Sequence, residues 1–185
     1  MIINIRGTSG SGKSTVVKRL MERCDIEDFT IDGRKRPLMH ICRPRNIDSP
    51  PLVAIGHYQT PTGGADTISE ADYIFELVNE SADEGSHVIY EGLMISSDVR
   101  RLIEANQNHK AMVSVLNTPI EQCIESIQER RTAKGNTKIL NPANTVSKHA
   151  AILLQIPRFK RAGVELHHID REQAFQCCLN GLQWN

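Results

Sequence analysis

The chain has 185 residues, 39% of them apolar and 24% charged, the balance of one globular domain rather than of a disordered or coiled-coil chain. Lys plus Arg equals Asp plus Glu at 22 each, so the total charge points to no particular partner. No apolar run approaches the roughly 18 residues of a membrane span, and the start Met1-Ile2-Ile3-Asn4-Ile5-Arg6 lacks the layout of a signal peptide, which predicts a cytoplasmic protein with no membrane partner. The five cysteines, Cys24, Cys42, Cys123, Cys177 and Cys178, are irregularly spaced and suggest neither a disulfide framework nor a zinc site.

In chain order, residues 2–6 read as a short buried strand and residues 13–23 as a helix with Val16, Val17 and Leu20 on one face. Residues 29–31 and 38–42 are short strand candidates around a basic turn, and 52–55 is another strand after Ser49-Pro50-Pro51. Residues 58–66 form a Gly/Thr/Pro loop. Thr67 and Glu70 match a capping box ahead of a helix carrying Ile68, Ala71, Ile74, Phe75 and Val78, which Gly85 ends. A strand at 87–90 runs into Glu91-Gly92, a helix follows at 97–106, and 112–116 is a strand. Thr118-Pro119 starts a helix, with Glu121 completing a second capping box and Ile120, Ile124 and Ile127 on its apolar face, and Lys134-Gly135-Asn136 breaks it. Residues 146–156 are helical up to Pro157, 164–169 form a strand, and 172–182 a last helix. Strands alternating with helices imply a mostly parallel sheet covered on both faces.

The segment Gly7-Thr8-Ser9-Gly10-Ser11-Gly12-Lys13-Ser14-Thr15 fits G-x-x-x-x-G-K-[ST], with a strand before it and an amphipathic helix after it. Glycines let backbone N–H groups turn inward around phosphate oxygens, and the helix start adds partial positive charge. Lys13 is expected to neutralise the β- and γ-phosphates of ATP and Ser14 to offer its hydroxyl to Mg²⁺. The expected fold is a P-loop NTPase three-layer α/β sandwich: a mostly parallel five-stranded sheet, helices on both faces and a small lid. One domain over residues 1–185 would carry an acceptor-side insertion at about 32–67 and a lid at about 129–145. No N-K-x-D segment reads guanine, which leaves phosphotransfer as the leading reaction class.

In such a kinase, Arg130 and Arg131 at a helix end would reach across the triphosphate as charge develops. Glu91, at a strand end with Gly92 beside it, would hold Mg²⁺ through water or orient the acceptor. An alcohol acceptor needs a carboxylate to take its proton; Asp66 in Gly63-Gly64-Ala65-Asp66 ranks ahead of Asp32, which precedes Gly33 and Arg34-Lys35-Arg36. The stretch from Gly56 to Asp66 joins a strand end to a helix, where ligand loops lie in such folds, and Tyr58 within it is a candidate to stack on a base. Charge is also unevenly spread: residues 46–99 hold ten acids and no Lys or Arg, while the rest of the chain clusters its cations at 34–36, 43–45, 130–138 and 158–161, a pattern that can make a local field for a polyanion.

The glycine-rich motif, the G-x-Y-x-x-x-x-G-G-x-D stretch (Gly56, Tyr58, Gly63, Gly64, Asp66), the strand end Tyr90-Glu91-Gly92-Leu93, and Arg130/Arg131 with the 141–148 segment resemble bacteriophage 5-hydroxymethyluracil DNA kinases, a group among the thymidylate-kinase-like P-loop kinases. The resemblance implies transfer of the ATP γ-phosphoryl to the 5-hydroxymethyl group of uracil in phage DNA, a step in thymidine hypermodification in the host cytoplasm. It also implies Lys13 and Ser14 at ATP and Mg²⁺, and Asp66 and Glu91 near the acceptor. Read from the residues themselves, Gly63, Gly64, Tyr58, Arg34 and Arg36 are candidates for the substrate side. Two alternatives stay open: a kinase of a free nucleoside, nucleotide or other small alcohol, and a nucleotide-binding regulatory module without transfer.

Overall fold

The computed structural model describes residues 1–60 and 63–185. Pro61 and Thr62, part of the loop expected at 58–66, lie outside the described residues. The elements run β1 (Ile2–Arg6), α1 (Lys13–Met21), β2 (Cys24–Phe29), β3 (Met39–Pro44), β4 (Leu52–Ile55), α2 (Ala71–Asp83), β5 (His87–Glu91), α3 (Arg100–Asn108), β6 (Ala111–Leu116), α4 (Ile120–Ala133), α5 (Ala143–Leu153), α6 (Ile156–Arg161), β7 (Glu165–Ile169) and α7 (Arg171–Leu182).

The strands form one mixed seven-stranded sheet in the order β2-β3-β4-β5-β1-β6-β7. The pairs from β4 through β5, β1 and β6 to β7 are parallel, and β2–β3 and β3–β4 are antiparallel. The sheet expected to hold five strands therefore holds seven. The two additional ladders come from β2 and β3: the candidates at 29–31 and 38–42 shift to Cys24–Phe29 and Met39–Pro44. Apart from Cys24, the residues of β2 are exposed, because this edge strand folds on ladder hydrogen bonds and cross-strand pairs more than on burial. Its exposed carboxylates Glu27 and Asp25 meet Arg43 and Arg45 from the β3 side, at 2.8 and 2.9 Å.

Alternation along the central strands divides the core in two. Ile3 and Ile5 of β1, with Ile89 and Met112, pack with Val16, Val17 and Leu20 of α1 and Phe175 and Leu179 of α7. Ile2, Val88, Tyr90 and Val113 face the opposite side, toward Ile74, Phe75 and Val78 of α2, Leu102 of α3 and Phe159 of α6. On α4, Ile120, Ile124 and Ile127 are only half-buried and it is Cys123 that is fully buried. Burying each such side chain contributes about 1.5–3 kcal/mol, so both helical layers are held on the sheet independently.

Both expected capping boxes are absent. Thr67 Oγ1 donates to Gly64 O at 2.8 Å and accepts from the His57 amide at 3.2 Å, so it serves the preceding loop and α2 starts after Glu70. Thr118 Oγ1 donates to Ser11 O at 2.9 Å and anchors the glycine-rich turn instead of capping α4. At the carboxyl end of β1, the strand expected to be simply buried carries a charged group inside. Arg6 is 2% exposed. Its guanidinium donates to Asn4 Oδ1, to the carbonyls of Ser96 and Asp98, and to Gln155 Oε1. It also lies over the Phe159 ring, 4.6 Å from the centroid. Burial brings it down to about 10, so it stays protonated at neutral pH and ties β1 to the segment after β5 and to the α5–α6 junction.

Candidate active site

The parallel strands β1 and β5 end side by side, with Ile5 in register with Glu91. The turn after β1 and the strand end of β5 therefore meet at one edge of the sheet. Between Arg6 and α1 the chain folds back over its own helix start, and this turn is fixed by side chains from elsewhere. Besides the Thr118 bond to Ser11, Thr8 Oγ1 donates to Thr145 O at 3.1 Å. Gly10, with φ +83°, lies so close to α4 that a Cβ there would sit 2.2 Å from Cys123 O; no side chain fits at that position.

A cleft of about 540 Å³ opens over this turn. Ser9, Gly10, Gly12, Lys13, Ser14 and Thr15 line it from the turn, and Glu91, Asp66, Gly63, Arg36 and Arg130 line it from other elements. Within it, Ser14 Oγ donates to Glu91 Oε1 at 2.6 Å. Lys13 Nζ lies 3.7 Å from Glu91 Oε2 and donates to Thr8 O at 3.2 Å. Glu91 is 2% exposed. Burial pushes its carboxyl up, against the opposing pull of Lys13 and the Ser14 hydroxyl, and nearby Asp66 raises it further. A buried cation, a hydroxyl and a carboxylate thus hold one another where a triphosphate and a hard divalent cation would be expected to engage each of them.

Asp66 reaches the same cleft from a 3₁₀ turn, Ala65–Thr67. Its two oxygens accept the amides of Leu93 and Met94 at 2.8 and 2.9 Å, which clamps the Gly63-Gly64 loop to the end of β5. Gly64, at φ +79°, makes the approach possible: a Cβ there would come within 2.3 Å of Glu91 Oε1. The rim is extended by Arg34, whose Nη2 donates to Thr67 O at 2.8 Å.

Gly7, Thr8 and Ser11 of the turn, with Gly64 and Arg34, support the cleft without lining it, and Tyr58, Asp32 and Arg131 also lie outside it. Tyr58 is 3% exposed and packs in the core cluster with Cys42, Ala54 and Ile89. Its ring is not free to stack on a base, and this corrects the expectation from its loop context. The burial follows from the backbone: the Tyr58 amide donates to His40 Nε2 at 3.2 Å, and His40 Nδ1 contacts Asp28 Oδ1 at 2.6 Å, so the residue after His57 is drawn under β3. Asp32 is exposed in the turn between β2 and β3 and does not line the cleft. Arg131, next to Arg130, is only half-buried and also outside the lining.

The cleft also holds Ser126 and Arg171, which sequence reasoning did not single out, together with Thr67, expected only as a helix cap, and Glu129, expected at the start of the lid. Arg171 starts α7 just beyond β7 and lies against the turn, with Cδ 2.3 Å from where a Gly12 Cβ would be. Its only signal in sequence was a strand end followed by an Asp170 cap, where a ligand-facing residue belongs in a parallel sheet.

Among the described residues no helix is long and apolar enough to cross a membrane. No family model matches the chain. Curated proteins do. A protein of Pseudomonas phage PaMx11 described as a 5-hmdU DNA kinase is 42% identical over 177 residues, 94% of this chain and 93% of that one. A 5-hmdU DNA kinase of Bacillus phage SP10 is 29% identical over 178 residues, 89% of this chain but 26% of that much longer protein. One of Pseudomonas phage M6 is 29% identical over 143 residues, 71% of this chain and 73% of the phage protein. At this identity over nearly the full length of both proteins, the chain belongs to the phage 5-hmdU DNA kinase family.

Proposed function

We propose that this protein is an ATP-dependent kinase that transfers the γ-phosphoryl group to the 5-hydroxymethyl oxygen of 5-hydroxymethyluracil in DNA, acting in the cytoplasm of the host cell. The single observation that supports this most is the convergence of Lys13, Ser14, Glu91 and Asp66 on one cleft. On this reading the fold is a P-loop NTPase sandwich whose nucleotide half is the five parallel strands from β4 to β7. Residues 32–67 form the acceptor side and 129–145 the lid.

In the mechanism, the turn from Gly7 to Ser14 wraps the β- and γ-phosphates with backbone N–H groups. Lys13 leaves Glu91 to neutralise them, and Arg130 and Arg171 approach from the outer wall. Ser14 Oγ and the Glu91 carboxylate are hard oxygen donors 2.6 Å apart and fit Mg²⁺; the ion would supply further neutralisation of the phosphates. The acceptor hydroxyl faces Asp66, whose remaining lone pairs line the cleft while Leu93 and Met94 hold it in place. The hydroxymethyl oxygen bonds to the γ-phosphorus, the bond from that phosphorus to the β-bridging oxygen breaks, ADP leaves with the electron pair, and Asp66 takes the hydroxyl proton. Catalysis is positioning plus charge stabilisation.

The acceptor is tested by incubating the protein with Mg-ATP labelled in the γ-phosphate and either 5-hydroxymethyluracil DNA or the free nucleoside. Label entering the DNA is expected; label appearing only on the free compound would refute the DNA reading and leave a small-molecule kinase.

A further inference from the structure

The ion pairs of the β2–β3 ladder leave a conspicuous remainder. Arg43 and Arg45 are neutralised by Glu27 and Asp25. At the tip of the same hairpin, Arg34, Lys35 and Arg36 make no ion pair with any carboxylate among the described residues. The tip is nonetheless fixed. The Arg34 amide donates to Ile31 O at 3.1 Å across a turn at Gly33 (φ +80°), and Leu38, fully buried, donates to Phe29 O at 2.8 Å. Arg34 Nη2 is bound to Thr67 on the cleft rim, and Arg36 lines the cleft. Beside these cations the tip exposes apolar side chains: Ile31 is 40% and Phe29 41% exposed.

A rigid turn that carries unpaired cations and an outward β-branched residue beside a cleft has the chemistry of an element that opens a duplex. Cations hold phosphates, and an apolar side chain fills the gap left when a base is extruded. We propose that the β2–β3 tip is the duplex-opening element: Lys35 grips the DNA backbone, and Ile31 wedges into the stack as the hydroxymethylated base swings out toward Asp66. The inference rests on the DNA-kinase reading. It adds a division of labour, because a single-stranded acceptor has no pair to break and does not need the wedge. The exposed Asp32 at the apex lowers the local positive charge but leaves the tip net basic across 30–37.

The test compares transfer to one strand containing 5-hydroxymethyluracil, single-stranded and annealed to its complement, for the wild type, Ile31→Ala and Lys35→Glu. Both residues are exposed and outside the cleft lining, and unchanged ATP binding checks that each variant is folded. Ile31→Ala is expected to slow transfer to the duplex about tenfold or more, while the single strand stays within about twofold. Lys35→Glu is expected to raise KM for the duplex and to lower the slope of log affinity against log salt by about one. An active wild type whose duplex-to-single-strand ratio is the same in Ile31→Ala overturns the inference alone. Ile31→Ala that instead changes self-association, with the ratio unmoved, overturns it in favour of contact with a second copy. A wild type that phosphorylates neither substrate overturns the kinase reading and this inference with it.

Discussion

Glu91 shows how strongly one side chain is committed to the site. It is buried, and that burial raises its carboxyl above the ordinary range. A carboxyl whose folded value lies above its unfolded value favours the folded state below the unfolded value. That contribution is lost as pH rises through the folded value. Glu91→Gln is therefore expected to raise the melting temperature of the nucleotide-free protein at neutral pH. The gain should shrink toward zero below about pH 4.5, near the unfolded carboxylate value, while transfer is lost. A melting temperature that falls equally at both pH values would contradict this role. Asp66 is expected to behave differently, since both its oxygens already accept backbone amides. Asp66→Asn is expected to lower kcat by roughly 10²–10⁴-fold, the range for loss of a positioned base, with little effect on KM for ATP; steady-state kinetics on hydroxymethyluracil DNA measure both. The glycine-rich turn was legible because its meaning lies in nine consecutive residues. The burial of Tyr58 was not, because it depends on His40 and on β3, whose pairing sequence alone does not show.

At the scale of elements, β1, β4, β5 and β6 were readable because each carries a short apolar run bounded by a turn, whereas β7 is Glu-Leu-His-His-Ile and was read from its place between Gly163 and the last helix. The antiparallel edge was obscure for the opposite reason: β2 is Cys-Asp-Ile-Glu-Asp-Phe, five of its six residues are exposed, and its order comes from register with β3. The capping boxes misled because Thr67 and Thr118 have closer claimants in Gly64 and Ser11; the spacing was right and the tertiary partner won. Arg6 gave no signal either, since one charged residue closing a strand usually points to water. Its five hydrogen-bonding and ring partners come from β1 itself, the segment after β5, and the α5–α6 junction. Arg6→Met would leave the Ser96 and Asp98 carbonyls without a donor, and it is expected to cost about 2–5 kcal/mol, at about 1–3 kcal/mol for each acceptor left unsatisfied. Urea unfolding measures this, and a loss under 1 kcal/mol would show that water or relaxation replaces those bonds.

Across the whole molecule, zero net charge conceals an uneven spread of cations, some paired and many not. Arg19, Arg43, Arg45, Arg100, Arg101 and Lys110 meet carboxylates. The cations at 34–36, beside the cleft, and Arg130 and Arg171, which line it, do not among the described residues. If the three cations at 34–36 each neutralise one phosphate, log affinity for duplex DNA should fall with log salt at a slope of about −2.7, at about 0.9 per phosphate. Affinity for the free nucleoside should barely change; fluorescence anisotropy at about 50 and 200 mM salt reads both. The charge blocks were legible in the order of residues, but which of them are paired was not, because pairing across β2 and β3 is a tertiary fact. On the proposed function, the cleft hands the terminal phosphoryl of ATP to the hydroxymethyl group of a base in DNA. Mass spectrometry of nucleosides released from treated 5-hydroxymethyluracil DNA reads the transfer itself. The wild type is expected to place a phosphoryl on the hydroxymethyl oxygen and Lys13→Ala to place none; a phosphoryl found only at the 5′ end of the strand, or an equal yield from Lys13→Ala, would refute the proposed transfer.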